Sequence, residues 1–309
     1  MPVLMPAAGC DDVARFLAYA WLRPESVLWD VILSRRLHAL RAPSPALDFG
    51  CGDGAFQFLH LGGEFNETHD LFCEVDLAHA EGNDLYGSRQ AGTQPVVAKP
   101  AAAGVRCGAD ANRRSLRQAR RLGLYRELCV LDGNARQPWQ TAAFPSAFSN
   151  ILYWLVSPER ALAELARAIA PGGTLTLAVL TEDFPRHSLT GNDAGRAIPW
   201  RRALAYGRWD CYRAFYTEAA LTALAAAAGF RVEHTGRCLA PLTVRLWDIG
   251  LRPLAPQLIR MANALAPETR LGIKREWCGS LQPVLTGLVA EETGPVADGG
   301  LLLAVLRRV

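Results

Sequence analysis

Lysine is almost missing from this chain. Lys99 and Lys274 are the only two in 309 residues, so the positive charge is nearly all arginine and the net charge is only +3. So small an excess leaves no electrostatic footprint for nucleic acid, and scattered arginine reads as solvated surface. The eight cysteines form no CxxC pair and no Cys/His cluster, which suggests neither a zinc site nor a disulfide framework and predicts reduced thiols. No uncharged apolar run approaches the ~20 residues needed to cross a bilayer. The opening "MPVLMPAAGC" ends like a lipoprotein cleavage box but lacks a basic start and an apolar stretch, so it does not read as a secretory signal. The expectation from these absences is a cytoplasmic protein that touches a membrane peripherally at most and binds no nucleic acid.

What is present is a large apolar fraction, half of all residues, enough for a sizeable core. "DDVARFLAYAWLRPESVLWDVILSRRLHAL" has helical spacing broken at Pro24, which predicts two helices in an N-terminal segment, 1–45. From Val105 onwards strand and helix patterns alternate: "VRCGAD", "RRSLRQARRLG", "LCVLDGN", "FSNILYWLV", "PERALAELARAIA" and "GGTLTLAVL". Such alternation implies right-handed crossovers and a mostly parallel α/β sheet. A loop region from Thr181 to Trp209 precedes an alanine-rich helix, "TEAALTALAAAAGF", and two more strands, "RVEHTGRCLA" and "GGLLLAVLRR". We therefore expect one domain over 46–309, interrupted at about 62–104 and 241–298. The first interruption is rich in Gly, Asn, Asp and Pro, with one strand-like run, "LFCEV", and is too long for an ordinary connection.

The most informative stretch is "ALDFGCGDGAF", residues 46–56, where an apolar strand runs into a glycine-rich turn that opens the helix "AFQFLHL". Such a turn lets backbone approach a nucleotide closely. "GCGDGA" satisfies the G-x-G-x-x-A dinucleotide fingerprint, which keeps an NAD(P)-dependent oxidoreductase in play. Asp48 and Asp53 argue against it, because carboxylates here repel a pyrophosphate. A ligand with cationic groups and no phosphate fits better, and S-adenosyl-L-methionine, with its ammonium and sulfonium, is such a ligand.

In these residues the chain resembles the class I S-adenosylmethionine-dependent methyltransferases, whose first motif is an acid followed by a G-x-G-x-G turn, here Asp48, Gly50, Gly52 and Gly54. "APGGTLTLAVL" looks like that family's entry to its fifth strand. The resemblance implies a doubly wound, Rossmann-like sheet of seven strands with the last antiparallel. It also implies an acid for the ribose at the end of the second strand. Asp76 lies at about the usual spacing of ~20 residues from the turn, but no helical pattern follows it, whereas Asp110 leads into a clear helix and is the better candidate. By the same resemblance Asp132 accepts from the adenine amino group, Gly133 and Asn134 line the ring, and Asn150 faces the cofactor near the methyl. Tyr153 and Trp154 are placed at the substrate mouth.

Methyl transfer to oxygen requires the acceptor to lose a proton, so a base is sought. His187, Asp183 and Tyr153 are the candidates, with His187 in the loop after the fifth strand, at the ligand edge of an open α/β sheet. The chain has no N-P-P-Y sequence after the fourth strand and no Pro-Cys pair, which disfavours base methylation of nucleic acid. Arg245, Arg252 and Arg260 stand among apolar residues in 241–265, suited either to an acceptor with apolar and anionic parts or to a solvated helical hairpin. The region is similar to methyltransferases of surface-glycan and lipid biosynthesis. The expected acceptor is thus a small molecule or a lipid-linked glycan, methylated at oxygen; a cofactor-binding protein without turnover is the alternative.

Overall fold

Apolar runs that are buried on both faces make strands that need neighbours on both sides. The strands are β1 (Leu47–Phe49), β2 (Glu64–Phe65), β3 (Val97–Lys99), β4 (Val105–Asp110), β5 (Tyr125–Val130), β6 (Phe144–Ser149), β7 (Ile169–Leu180), β8 (Phe230–Cys238) and β9 (Leu301–Arg308). Seven of them form one sheet in the order β5-β4-β1-β6-β7-β9-β8, and β2 pairs with β3 separately. The pairs β5/β4, β4/β1, β1/β6 and β6/β7 are parallel, while β9 runs antiparallel to both β7 and β8. This computed structural model describes residues 11–75, 95–205, 208–292 and 296–309.

The chain leaves β1 towards β4 on one side and later returns to β6 on the other, so the strand order reverses at β1. Open α/β sheets bind ligands at that crevice, beyond the carboxyl ends of the strands. Register places Phe49 opposite both Ala109 and Ser149, so the turn after β1 emerges between Asp110 and Asn150.

The helices on the flanks start where the sequence supplies caps. Pro24 stands at the first turn of α2 (Pro24–Ala39) and separates it from α1 (Asp11–Tyr19), as fits a residue without an N–H. The glycine turn opens α3 (Ala55–His60), and Asn112 Oδ1 accepts from the N–H groups of Arg114 and Ser115 to start α4 (Arg113–Arg121). α5 (Pro158–Ala168) joins β6 to β7. The expected loop after β7 instead contains α6 (Phe184–His187), α7 (Asp193–Ala197) and α8 (Pro199–Leu204), with α9 (Arg208–Cys211) following. Then come α10 (Glu218–Ala227), α11 (Pro241–Asp248), α12 (Ala255–Asn263) and the long α13 (Pro267–Glu291).

Two expected strands are corrected. "LFCEV" is mostly a single 3-10 turn, Leu71–Glu74, begun by Asp70, whose Oδ1 accepts from Phe72 N–H. "FSNILYWLV" is strand only as far as Ser149; Leu152–Trp154 is another 3-10 turn. Short apolar runs do not distinguish strand from turn by periodicity. Asp76 lies outside the described residues.

One apolar core runs from Val13, Phe16 and Leu17 of α1 through the sheet to Leu306 of β9. α1 and α2 pack against α13, and α2 also meets α11. Among the described residues no helix is long and apolar enough to cross a membrane.

Candidate functional site

The site grows from the turn after β1. Gly50, Gly52 and Gly54 all have positive φ, at 90°, 56° and 77°, conformations that side chains with a Cβ resist. The surroundings differ at each. A Cβ on Gly52 would meet nothing within 4 Å, whereas one on Gly54 would lie 2.6 Å from the Tyr125 ring. Gly52 therefore faces open space, as a ligand cradle requires, and Gly54 makes room for a neighbour. Gly108 in β4 does the same, since its Cβ would stand 2.8 Å from Tyr125.

Tyr125 uses that room to donate its hydroxyl to Asp48 Oδ2 at 2.6 Å. Asp48 is 2% exposed, and its carboxyl is raised to about 7, chiefly by burial and further by the neighbouring Asp110, against the pull of the Tyr125 bond. Burial and then the Asp48 carboxylate push the Tyr125 phenol well above its ordinary value.

Asp110, at the end of β4, bonds the turn directly. Its Oδ2 accepts from Gly52 N–H at 2.9 Å and its Oδ1 from Asn112 N–H at 2.7 Å. Each carboxylate oxygen keeps further acceptor capacity. Asp53 is held from outside the sheet: its Oδ2 accepts from the Tyr19 hydroxyl of α1 at 2.9 Å, and its Oδ1 from Ala55 N–H at 3.0 Å. The Tyr19 ring stacks on Phe65, 4.8 Å between centroids, so α1 and the segment after α3 meet over the turn.

Beyond β5, Asp132 is exposed and its Oδ1 accepts from both the backbone and side-chain N–H groups of Asn134. Asn134 Oδ1 in turn accepts from Val156 and Ser157 N–H, which ties this turn to the start of α5. A Cβ on Gly133 would strike Leu155 at 2.8 Å. Asn150, past β6, is partly exposed and its side chain has no hydrogen bond among the described residues.

Next to Asn150 the wall becomes aromatic. Tyr153 is 8% exposed and meets Trp154 and Tyr212 edge-on at 5.4 and 5.7 Å. Burial, with Tyr212 and Asp30 nearby, pushes the Tyr153 phenol up, against the pull of Arg208. The wall continues through Tyr212 to Phe184, which touches Trp29 of α2, Trp209 and Trp247. A polar knot fixes it from behind. Asp248, 1% exposed, accepts from the Ser188 and Thr190 hydroxyls and from Thr190 N–H, and pairs with Arg208, whose guanidinium lies 3.7 Å over the Trp247 ring.

Two of the expected bases make contacts within the fold. His187 is 5% exposed and its Nε2 donates to the Asp298 carbonyl at 2.7 Å; a carbonyl accepts only, so the proton is fixed there and the ring is tied to the segment entering β9. Asp183 accepts from Arg237 at 2.7 Å and pairs with Arg186. Arg245 is exposed on α11. The aromatics that the sequence reading missed, Tyr19 and Tyr125, lie outside the motif. Gly108 inside a strand was the one signal, since an interior strand glycine marks a close approach.

The model of one family, described as a methyltransferase domain, matches residues 21–235, which span the turn, Asp110 and the aromatic wall. This chain belongs to that family of methyltransferase domains. As a methyltransferase, it has S-adenosylmethionine as its cofactor. The residues present fit that molecule, because the open face at Gly52 is bordered by carboxylates suited to its cationic groups. No curated protein matches the chain. Its fold is similar to an S-adenosylmethionine-dependent methyltransferase structure from Thermotoga maritima, at 15% identity over 97% of this chain and 99% of that one, TM-score 0.46. It is also similar to one from Mesorhizobium loti, at 15% over 85% and 89%, TM-score 0.40. A TehB-like methyltransferase from Corynebacterium glutamicum matches at 15% over 89% and 87%, TM-score 0.40. Among the described residues no cluster of metal-ligating side chains occurs.

Proposed function

We propose that this methyltransferase moves the methyl group of S-adenosylmethionine to an oxygen of a small-molecule or lipid-linked glycan acceptor. The bond from Gly52 N–H to Asp110 carries the cofactor half of the reading, because it sets an acid with spare acceptor capacity beside the open face of the turn. In this reading Gly50, Gly52 and Gly54 bring backbone to the methionine part, Asp48 offsets its positive charge, and Asp110 takes the ribose hydroxyls. Asp132, with Gly133 and Asn134, borders the adenine, and Asn150 stands near the methyl. The cofactor would supply an electrophilic methyl group on a sulfonium sulfur, whose positive charge is lost as the neutral thioether forms, so no covalent enzyme intermediate is needed.

The aromatic wall from Tyr153 to Trp29 supports an acceptor with an apolar face, held in line and shielded from water, effects together worth roughly 7–11 kcal/mol in well-oriented systems. Isothermal titration with S-adenosylmethionine and S-adenosylhomocysteine tests the cofactor half, and binding of both at micromolar concentration is expected. Absence of binding by the folded protein at millimolar ligand refutes it. Label transfer from methyl-labelled cofactor into fractionated lipid, glycan and small-molecule pools tests the acceptor half; label recovered only in nucleic acid refutes it.

A further inference from the structure

We propose that the cavity between the start of α13 and the segment after β2 binds a small carboxylate anion, at a place separate from the cofactor site. The cavity measures about 180 Å³, well above the ~15 Å³ that admits one water. Arg270 and Lys274 of α13 line one side and Glu67 and Asp70 the other, while Pro267 and Leu271 supply apolar wall. None of these residues belongs to the glycine turn or to the aromatic wall.

Lys274 sets the charge of the ligand. It is 4% exposed, and its ammonium donates to the Glu67 and His69 carbonyls at 2.9 and 2.6 Å. An ammonium has three N–H groups, so one has no hydrogen bond among the described residues. Lys274 forms no ion pair among them either, and a buried charge without a counter-charge is costly. The nearby carboxylates are committed elsewhere. Glu67 pairs with Arg275, and Asp70 pairs with Arg270 and accepts from Phe72 N–H. Glu268, which also borders the cavity, is exposed to solvent. The first turn of α13 opens at the same place with Ala266 as its cap residue and no side-chain acceptor, so the positive end of the helix favours an anion as well.

A monocarboxylate suits this cavity better than a phosphate dianion does, because Glu67, Asp70 and Glu268 repel a second negative charge. Its oxygens supply the acceptor that the third Lys274 N–H lacks, and its apolar body lies against Leu271 and Pro267.

Butyrate is the probe, with butylammonium as a cation of similar apolar body and inorganic phosphate as a second anion, all at constant ionic strength. Butyrate is expected to raise Tm saturably, by roughly 2–5 °C at about fifty times its dissociation constant. Butylammonium should leave Tm unchanged, and phosphate should bind more weakly than butyrate. In titration calorimetry S-adenosylhomocysteine at saturation should not displace butyrate. Lys274→Gln should weaken butyrate by roughly tenfold or more, the scale of a lost charged hydrogen bond. Leu271→Trp, which fills the cavity and leaves the Lys274 bonds in place, should weaken it as much. A rise in Tm that never saturates, an equal effect of butylammonium, phosphate binding as tightly as butyrate, or displacement by S-adenosylhomocysteine overturns the proposal. So does a folded Leu271→Trp or Lys274→Gln chain that binds butyrate at wild-type affinity. Should neither variant fold, the wild-type comparison of butyrate with butylammonium and phosphate still decides.

Discussion

Replacing Asp48 by asparagine is expected to stabilise the apoprotein and weaken its cofactor at once. The carboxyl is raised from 3.8 to about 7 by burial and by Asp110, so the folded chain holds this proton more tightly than the unfolded chain does. The stabilising contribution is complete below about pH 4 and is lost as the pH rises through about 7. A tenfold change in proton affinity is worth about 1.4 kcal/mol, which makes the whole effect about 4 kcal/mol and the part falling between pH 5 and pH 8 about 3 kcal/mol. Asparagine does not titrate, and its amide oxygen can still accept from Tyr125. Relative to wild type, Asp48→Asn should therefore gain about 3 kcal/mol more at pH 8 than at pH 5, or roughly 4 °C in Tm for a chain of this length. Urea unfolding and thermal melts at the two pH values measure this, and titration with S-adenosylmethionine on the same samples should show affinity falling by roughly tenfold or more. A gain in stability with a loss of binding is what a site strained for function predicts. A stability difference that is the same at both pH values refutes the reasoning about burial, and unchanged affinity refutes the placement of Asp48 at the cofactor.

Asp110→Ala should lower affinity for S-adenosylhomocysteine by ~10-fold to 100-fold with a small change in Tm, since it removes a charged acceptor and the brace on Gly52 N–H; unchanged affinity in titration would move the ribose site elsewhere. Gly52→Val should fold with a cost of about 1–2 kcal/mol for the left-handed backbone yet bind no cofactor, because its side chain enters space that is open at present; binding at wild-type affinity would rule out this turn. Lys274, 4% exposed on α13, donates to the Glu67 and His69 carbonyls at 2.9 and 2.6 Å. Lys274→Met should leave both carbonyls without that donor, at about 1–3 kcal/mol each, and hydrogen exchange should speed up in residues 64–75; protection equal to wild type would show that other contacts hold this segment.

The order of strands and helices from Val105 to Leu180 was legible in the sequence because alternating periods of hydrophobicity are local, and so were the Pro24 break and the glycine turn, each set by backbone restrictions within a few residues. The chemical character of the ligand was legible too, since carboxylates at Asp48 and Asp53 beside the turn argue against a phosphate. Tertiary structure decided which of these groups meet. Asp110 joins Gly52 because β4 pairs with β1, and Tyr125 reaches Asp48 from two strands away through room left by Gly54 and Gly108. His187 sits in the loop where a base was sought, yet the return of the chain into β9 gives its ring a backbone carbonyl. Periodicity and turn chemistry act over a few residues, whereas the company a side chain keeps is fixed by sheet order and helix packing, which join residues far apart in the chain.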